Sequence, residues 1–187
     1  MILADTALLD ANVLHPMVLC DLLIRLALAG YYRPRWSEDI LDETVRSIHR
    51  RRPDLSLDLL RRRVAAMRRV LPDAMVAGYE GLAAEMVQLG KDAHVLAAAV
   101  RGGAEVIVTN NVRDFLPALL DHYEMLVQTP DEFLLDQWWL DPHGVVKLIL
   151  EQSAATTRPH LSPTDILARL RDLAPEFVQL AEPMTRA

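Results

Sequence analysis

The chain has 187 residues, of which 51% are hydrophobic and 25% are charged, and its formal net charge is −6. This balance predicts a globular protein of one domain, with at most a small appendage. A single cysteine, Cys20, excludes an intramolecular disulfide and is typical of a reducing compartment. No uncharged apolar run approaches the roughly 18 residues of a membrane span, and the N-terminus shows no secretory signal. We therefore expect a cytoplasmic protein without a membrane partner.

Short apolar runs alternate with helical patterns along the first 140 residues. Strands are predicted at Thr6–Leu9, Tyr31–Trp36, Val76, Glu105–Thr109 and Met125–Val127. Helices are predicted over Met17–Ala29, Ser37–Arg51, Leu55–Leu71, Tyr79–Leu89, Asp92–Arg101, Val112–His122 and Pro130–Trp138. Strands that alternate with helices indicate a parallel sheet of four to five short strands with helices on both faces, a three-layer α/β/α fold.

A change in pattern near Asp141–Gly144 predicts a boundary between residues 1–140 and a helical extension over residues 141–187. Within this extension, helical spacing indicates three short helices, at Val145–Gln152, Pro163–Leu173 and Pro175–Ala181. Ser162 is a good helix N-cap because Pro163 follows it at the first helical position. Nothing in the extension itself indicates a function.

Four acidic residues, Asp10, Glu43, Asp92 and Asp114, each end an apolar run or lie in a helical pattern. In a parallel sheet, ligands bind beyond the carboxyl ends of the strands, so these carboxylates can point into one cleft. Carboxylates without a surrounding set of thiolates or imidazoles are the ligands that Mg²⁺ and Mn²⁺ prefer. The spacing therefore predicts a site for a hard divalent cation.

Each of these residues also has an ordinary structural interpretation. Asp10 and Asp92 can cap the helices that follow them, and Glu43 competes with the adjacent Asp42 for a place in the cleft. His94 is more often a hydrogen-bonding neighbour than a metal ligand. Asn12 can support the Asp10 carboxylate or a bound water, and the segment Thr109-Asn110-Asn111 delivers polar groups at the end of the clearest strand.

A strongly basic segment interrupts the acidic chain. It contains nine arginines against two acids, Asp54 and Asp58; the arginines are Arg46, Arg50, Arg51, Arg52, Arg61, Arg62, Arg63, Arg68 and Arg69. So few acids are nearby that helical ion pairs do not account for the density of Arg61, Arg62 and Arg63. Contact with phosphates or with an acidic protein explains the segment better, and Arg50, Arg51, Arg61, Arg62 and Arg63 are the predicted binding residues.

The order of these motifs resembles the PIN-domain nucleases over roughly Leu3 to Phe133. The motifs are strand-Asp10-x-Asn12, a helical Glu43, Asp92-x-His94 before Ala-rich sequence, and strand-Thr109-Asn110-Asn111-x-x-Asp114. The chain looks closest to VapC-like toxins of bacterial toxin–antitoxin pairs, in the branch with a helical tail. The resemblance implies a Mg²⁺- or Mn²⁺-dependent endoribonuclease, with Asp10, Glu43, Asp92 and Asp114 as catalytic metal ligands. It also implies an RNA substrate, a VapB-like antitoxin as partner and a possible homodimer.

The chain differs from the usual family pattern at two points, and two other functions are alternatives to a nuclease. Many family members have an acid where Asn111 stands, and the tail after Asp141 exceeds the minimal toxin. A metal-dependent phosphatase of the haloacid-dehalogenase type needs a second Asp two residues after the first, where this chain has Asn12. A catalytically weak or inactive PIN-like module that binds RNA or protein is the other alternative. The RNA target and the number of metal ions stay open.

Overall fold

The computed structural model describes residues 5–185, apart from the side chains of residues 87, 88 and 91. Leu3, where the resemblance begins, and the last two residues of the predicted extension lie outside this part of the chain. The described residues form one parallel sheet of five strands, in the spatial order β3-β2-β1-β4-β5. The strands are β1 (Thr6–Leu9), β2 (Arg33–Ser37), β3 (Met75–Val76), β4 (Val106–Val108) and β5 (Leu126–Gln128).

Helices cover this sheet and confirm the predicted α/β fold. They are α1 (Ala11–Leu14), α2 (Met17–Leu28), α3 (Glu38–Arg51), α4 (Leu57–Val70), α5 (Glu80–Glu85), α6 (Ala93–Arg101), α7 (Pro117–His122), α8 (Pro130–Leu140), α9 (Pro142–Ala155), α10 (Pro163–Leu170) and α11 (Pro175–Thr185). Among residues 5–185, no helix is both long enough and apolar enough to cross a membrane.

The central strands β1 and β4 are buried throughout, as their continuous apolar sequences require. Although they are far apart in the chain, they are neighbours in the sheet, and Leu9 pairs with Val108. The strand order reverses between them, because β2 and β3 extend the sheet on one side and β4 and β5 on the other. The residues that follow β1 and β4 therefore meet at the topological switch point, the usual ligand site of such sheets.

Two segments that were predicted as single continuous helices are each interrupted in the structure. The helix predicted over Tyr79–Leu89 ends at Glu85, and a 3₁₀ segment over Val87–Asp92 follows, in which Gly90 has a φ of 56°. The helix predicted over Val112–His122 is a 3₁₀ turn over Val112–Asp114 followed by α7. Two extended residues separate them, because Pro117 disfavours helical backbone at the residue before it.

The C-terminal helices share one hydrophobic core with the sheet-bearing part of the chain. Helices α9 and α10 contact α2, and α11 contacts α8 and α9. The side-chain amide of Gln152 donates a buried hydrogen bond of 2.9 Å to the carbonyl oxygen of Val18, and Trp138 meets Phe177 edge to face. Helix α9 is longer than predicted at both ends, and only Asp141 separates it from α8. The division between residues 140 and 141 stays a prediction.

Replacing Asp131 with alanine should lower the free energy of unfolding by about 1 kcal/mol, the usual value of a helix cap. The Asp131 carboxylate on α8 accepts hydrogen bonds from the backbone N–H groups of Glu176 (3.1 Å) and Phe177 (2.9 Å) at the start of α11. Thermal unfolding followed by circular dichroism measures the change. Asp131→Asn is the control, because it keeps one acceptor oxygen; an equal loss in both variants would contradict the capping role.

Candidate active site

Asp10 lies directly after β1, and its side chain is only 7% exposed. One carboxylate oxygen, Oδ1, accepts from the backbone N–H of Ala11 at 2.6 Å, so Asp10 caps the short helix α1. The other, Oδ2, accepts from Asn12 Nδ2 (2.6 Å) and from the Thr109 hydroxyl (2.7 Å). A carboxylate has about four lone-pair sites, and three of them are occupied. The orientation of Asp10 is therefore fixed, and about one acceptor site is left for another group.

Asn12 and Thr109 join the ends of β1 and β4 around this carboxylate. Asn12 Nδ2 also donates to Thr109 Oγ1 at 2.8 Å, and Asn12 Oδ1 accepts from the backbone N–H (3.0 Å) and side-chain amide (3.3 Å) of Asn110. The Thr109 hydroxyl accepts a further bond from the backbone N–H of Asn111 at 3.0 Å. Asn12 thus uses all four of its hydrogen-bonding positions within the protein. It supports Asp10, and it has no free position for a metal ion or a water.

Glu43 and Asp92 bring negative charge to the same place. Burial raises the pKa of Asp10 above its usual value, the hydrogen bonds from Thr109 and Ala11 lower it, and the charges of Glu43 and Asp92 raise it further. Asp92 precedes α6, but its side chain makes no capping hydrogen bond. The interpretation of Asp92 as a side-chain cap of α6 is therefore not supported. The charges of two other predicted acids, Glu43 and Asp92, thus act on Asp10 at the switch point.

The choice between Glu43 and Asp42 follows from the two faces of α3. Glu43 has a side chain that is 47% exposed, and its Oε2 lies 3.7 Å from Nε2 of His94. The neighbouring Asp42 is exposed and lines a cavity between α3 and α4, together with Arg61 and Arg68. Glu43 therefore faces the cleft and Asp42 faces away from it. The distance from His94 to Glu43 is longer than a hydrogen bond, so the role predicted for His94 stays a prediction.

Asp114 lies apart from this arrangement. It belongs to the exposed 3₁₀ turn after β4, and its charge is not among the causes of the raised pKa of Asp10. Asn110 and Asn111 are exposed beside it, held through Asn12 and Thr109. The geometry thus brings together Asp10, Glu43 and Asp92, and it leaves Asp114 on the rim.

The donor chemistry of this cleft fits a hard divalent cation, although the ligands are not assembled around one point. Within residues 5–185, no group of three His, Cys, Asp or Glu side chains is arranged to hold a metal ion. Carboxylate oxygens are nevertheless the ligands that Mg²⁺ and Mn²⁺ prefer. Burial is the main cause of the raised pKa of Asp10 and the charges of Glu43 and Asp92 add to it, so a bound cation would relieve both costs. A cation would have to draw Glu43 and Asp92 toward Asp10.

Replacing Thr109 with valine should lower the free energy of unfolding by about 1–3 kcal/mol, because the fully buried hydroxyl bonds a charged group and two donors. Any activity that depends on Asp10 should fall about 10- to 100-fold, the usual effect of losing a group that orients a metal ligand. Denaturant unfolding and a cleavage assay measure the two effects. Thr109→Ser keeps the hydroxyl and should retain most of both; parallel losses in serine and valine would point to packing instead.

Of the five arginines predicted to bind a partner, four face the solvent and one bonds within the protein. Arg50, Arg51, Arg61 and Arg62 are exposed on α3 or α4. Arg61 makes a long ion pair with Asp58, at 3.8 Å between two well-exposed side chains, which is worth little.

Arg63, in contrast, turns inward toward the end of α1. Its guanidinium donates to the carbonyl oxygens of Leu14 (2.6 Å) and His15 (3.4 Å). These carbonyl groups have no partner within so short a helix, so Arg63 serves the helix end. Burial, then the charges of Arg51 and Arg63, lower the pKa of His15, which places Arg51 near the same helix. Arg63 is therefore committed within the molecule, and the other four arginines face outward.

Comparison with known proteins agrees with the fold described above. Residues 6–113, more than half of the chain, match a family model described as PIN domain. The chain belongs to the PIN domain family. Residues 130–183 match a second model, described as VapC50 C-terminal domain. The chain is 40% identical over 111 residues to a protein of Mycobacterium tuberculosis (strain ATCC 25618 / H37Rv) named putative ribonuclease VapC50. That match covers 59% of this chain and 66% of the relative, just under two thirds of its length. No solved structure matches the chain.

The second family model matches the C-terminal helices, to which the sequence patterns assigned no function. The VapC50 C-terminal model begins at Pro130 and therefore includes α8, which lies before the predicted boundary. The PIN domain also contains an element that the sequence reasoning missed, the four-residue helix α1. Its signal was present in Asp10, which is a good helix cap as well as a candidate ligand. The structure shows the capping role, and the role as a ligand stays a prediction that the cap does not exclude.

Proposed function

We propose that the protein is a Mg²⁺- or Mn²⁺-dependent endoribonuclease and the toxin of a VapBC-type toxin–antitoxin pair. The observation that supports this most is the convergence of Asp10, Glu43 and Asp92 at the switch point of a PIN domain. The name of the M. tuberculosis relative, putative ribonuclease VapC50, supports the choice of RNA as substrate. The arginines on α3 and α4 supply the positive surface that a nucleic acid requires.

In this proposal Asp10, Asp92 and Glu43 would hold the ion, and Asp114 would reach it from the rim. When bound, the ion supplies Lewis acidity at the phosphate and lowers the pKa of its own water ligand. Asp10 contributes its last free acceptor site, while Asn12 and Thr109 hold the carboxylate in a single orientation. His94 Nε2 lies 3.7 Å from Glu43 Oε2, close enough to meet that carboxylate through a small side-chain movement. The protein groups thus position an attacking water and one phosphodiester bond, which would break to a 5′-phosphate and a 3′-hydroxyl.

A cleavage assay tests this function directly. The purified chain is incubated with 5′-labelled total tRNA, ribosomal RNA and an unstructured RNA, each with Mg²⁺, Mn²⁺ or EDTA. We expect discrete cleavage of at least one RNA with a divalent cation and none in EDTA. Cleavage that Asp10→Ala and Asp92→Ala retain in full would come from a contaminating nuclease and would overturn the proposal.

A second candidate function is an RNA- or protein-binding PIN module without catalysis. The exposed position of Asp114 and the lack of a preassembled metal group within residues 5–185 favour it. It predicts RNA binding with no cleavage under any cation. The same assay, combined with a filter-binding measurement, therefore separates the two functions.

The double substitution Arg61→Glu and Arg62→Glu should weaken RNA binding and flatten its dependence on salt. Each phosphate contact to single-stranded RNA contributes about 0.7 to the slope of log K against log salt concentration, so losing two contacts lowers the slope by about 1.4. Fluorescence anisotropy at several salt concentrations measures this slope.

Arg158→Glu with Arg169→Glu is the matched control, since both residues are exposed on the C-terminal extension. An unchanged slope in the Arg61/Arg62 variant would assign this surface to the acidic protein partner instead. In that case the same variant should lose binding to a VapB-like antitoxin while it still cleaves RNA.

A further inference from the structure

The outer edge of the sheet carries a groove that the proposed nuclease function does not use. Strand β5 is the last strand on its side of the sheet. The backbone of Leu126 and Gln128 bonds to the β4 side, through Leu126 N–H to Glu105 O (3.0 Å) and Thr109 N–H to Gln128 O (2.9 Å). Because backbone groups alternate along a strand, the N–H and C=O of Val127 point to the opposite, unpaired edge. This edge can accept one more strand.

The groove lies between this strand and helix α8, and its volume is about 480 Å³. Four residues of one α8 face line it at helical spacing, Glu132, Leu135, Asp136 and Trp139. The opposite face of α8, with Phe133, Leu134 and Trp138, is buried in the core. The groove is therefore held between the edge strand of the sheet and a rigid helix, and none of the proposed catalytic residues lines it.

Buried negative charge lies at the base of the groove. Asp136 is 7% exposed, and its carboxylate accepts a hydrogen bond of 2.8 Å from the side-chain amide of Gln128. None of the described residues that line the groove is basic, and Glu132 adds a second carboxylate one turn away. A buried carboxylate is normally paired with a cation. The groove thus offers the Asp136 carboxylate, and the Glu132 oxygen that does not accept from Thr129, to a cationic group that the described residues do not supply there.

An exposed aromatic ring stands at the mouth of the groove. Trp139 is 58% exposed, whereas Trp36 and Trp138 are 0% and 4% exposed. Leu126, on the strand side, is 37% exposed. Guanidinium and ammonium groups bind well to the face of an indole ring, and apolar side chains would cover Leu126 and Leu135. Surfaces that can bind a cation, at Trp139 and Asp136, therefore alternate along the strand edge with apolar surfaces at Leu126 and Leu135.

We propose that this groove binds an extended peptide segment of a protein partner, in which arginine or lysine alternates with apolar residues. The segment pairs with the backbone of Val127, places a basic side chain between Trp139 and Asp136, and covers Leu126 with an apolar one. Strand addition of this kind takes affinity from the backbone and specificity from alternate side chains.

The charges of the groove decide against two other occupants. An RNA strand could stack on Trp139, but its phosphates would meet Glu132 and Asp136. A second copy related by a twofold axis would bring the groove against the same groove, which has no basic lining residue, so neither acid would gain a cation. Only a basic segment satisfies both the ring and the carboxylates.

Titration of the ¹⁵N-labelled protein with the capped peptide Val-Arg-Val-Arg-Val, followed by NMR, tests this proposal. The expected result is a shift of the amide signals of Val127 and Gln128 and of the Trp139 indole N–H. Trp139→Ala and Asp136→Asn should each weaken binding at least tenfold, while the matched controls Leu150→Ala and Glu151→Gln on α9 should not. Trp139→Ala changes an exposed side chain, so its effect is separable from a folding defect. Asp10→Asn should bind the peptide as the unmodified protein does, which makes the test independent of the nuclease proposal.

Three probes give results that would overturn the assignment. The capped peptide Val-Glu-Val-Glu-Val should bind at least tenfold more weakly, and equal binding would remove the charge argument. A uridine oligonucleotide that shifts the same signals more strongly would assign the groove to RNA. A concentration-dependent dimer in sedimentation, abolished by Trp139→Ala, would assign it to a second copy. Absence of any shift at millimolar arginine peptide would also refute the proposal.

Discussion

Asp10→Asn should remove divalent-cation-dependent RNA cleavage, with a loss of at least about 10²-fold, beyond the 10- to 100-fold typical of a group that only orients a metal ligand. The reason lies in the chemistry of the side chain. Asparagine keeps the size of aspartate and one acceptor oxygen, but it cannot offer a charged oxygen to a cation while it also caps α1 and bonds Thr109. Initial rates of RNA cleavage in Mn²⁺ and in Mg²⁺ measure the loss.

The same substitution should cost the cation-free protein least stability at neutral pH, although its amide N–H group replaces one oxygen that accepts from Ala11, Asn12 or Thr109. Burial, and then the charges of Glu43 and Asp92, raise the pKa of Asp10 in the folded state despite its hydrogen bonds. A carboxyl group with a raised pKa favours folding only when it is protonated, and this contribution is lost as the pH rises through the folded-state pKa. At neutral pH the charged Asp10 therefore opposes folding, whereas the neutral amide that Asp10→Asn introduces does not.

Thermal melts in EDTA from pH 4 to pH 7.5 separate these contributions. The stability of Asp10→Asn relative to the unmodified protein should be highest at neutral pH and should decrease as the pH falls through the folded-state pKa of Asp10. Asp42→Asn is the matched control, because it removes the same charge from an exposed acid outside the cleft. A strong destabilisation by Asp10→Asn at neutral pH would show that the helix cap outweighs the electrostatic cost.

The sheet and its switch point could be predicted from sequence because their signals are local. Continuous apolar runs before Asp10 and Thr109 specify buried parallel strands, and the strand–helix alternation specifies their direction. Ser37 was a predicted helix cap, and its side chain accepts from the N–H of Ile40. The breaks at Met86 and before Pro117 were missed, since a helical pattern of apolar residues can continue across a short non-helical segment.

The interior of the candidate site depended on contacts that no local pattern encodes. The bonds from Asn12 to Thr109 and Asn110 cross from β1 to β4, and their formation requires the sheet order. Arg63 looked equivalent to Arg61 and Arg62 in sequence, but its place on α4 directs it toward the end of α1. Which face of a helix meets which neighbour is decided by tertiary packing. The same reasoning explains why Glu43 and Asp42 could not be separated before the fold was known.

Mn²⁺ at about 100 times its dissociation constant should raise the free energy of unfolding by about 2.7 kcal/mol. For a chain of this size that corresponds to an increase in Tm of roughly 5 to 10 °C. The physical reason is that a divalent cation cancels the repulsion among Asp10, Glu43 and Asp92 and binds only when the fold brings them together. Differential scanning fluorimetry over a Mn²⁺ titration, with EDTA as reference, measures the shift.

The identity of the ligands follows from which variants lose this stabilisation. Asp10→Asn and Asp92→Asn should abolish most of the shift, and Glu43→Gln should reduce it, whereas Asp42→Asn should retain it in full. Asp114→Asn tests whether the exposed Asp114 also holds the ion, because Asp114 is not among the groups that raise the pKa of Asp10. If Asp114→Asn loses the shift as Asp10→Asn does, the turn after β4 must close over the bound ion. If Mn²⁺ leaves the Tm of the unmodified protein unchanged, the metal-site proposal is wrong, and the carboxylates serve a binding module instead.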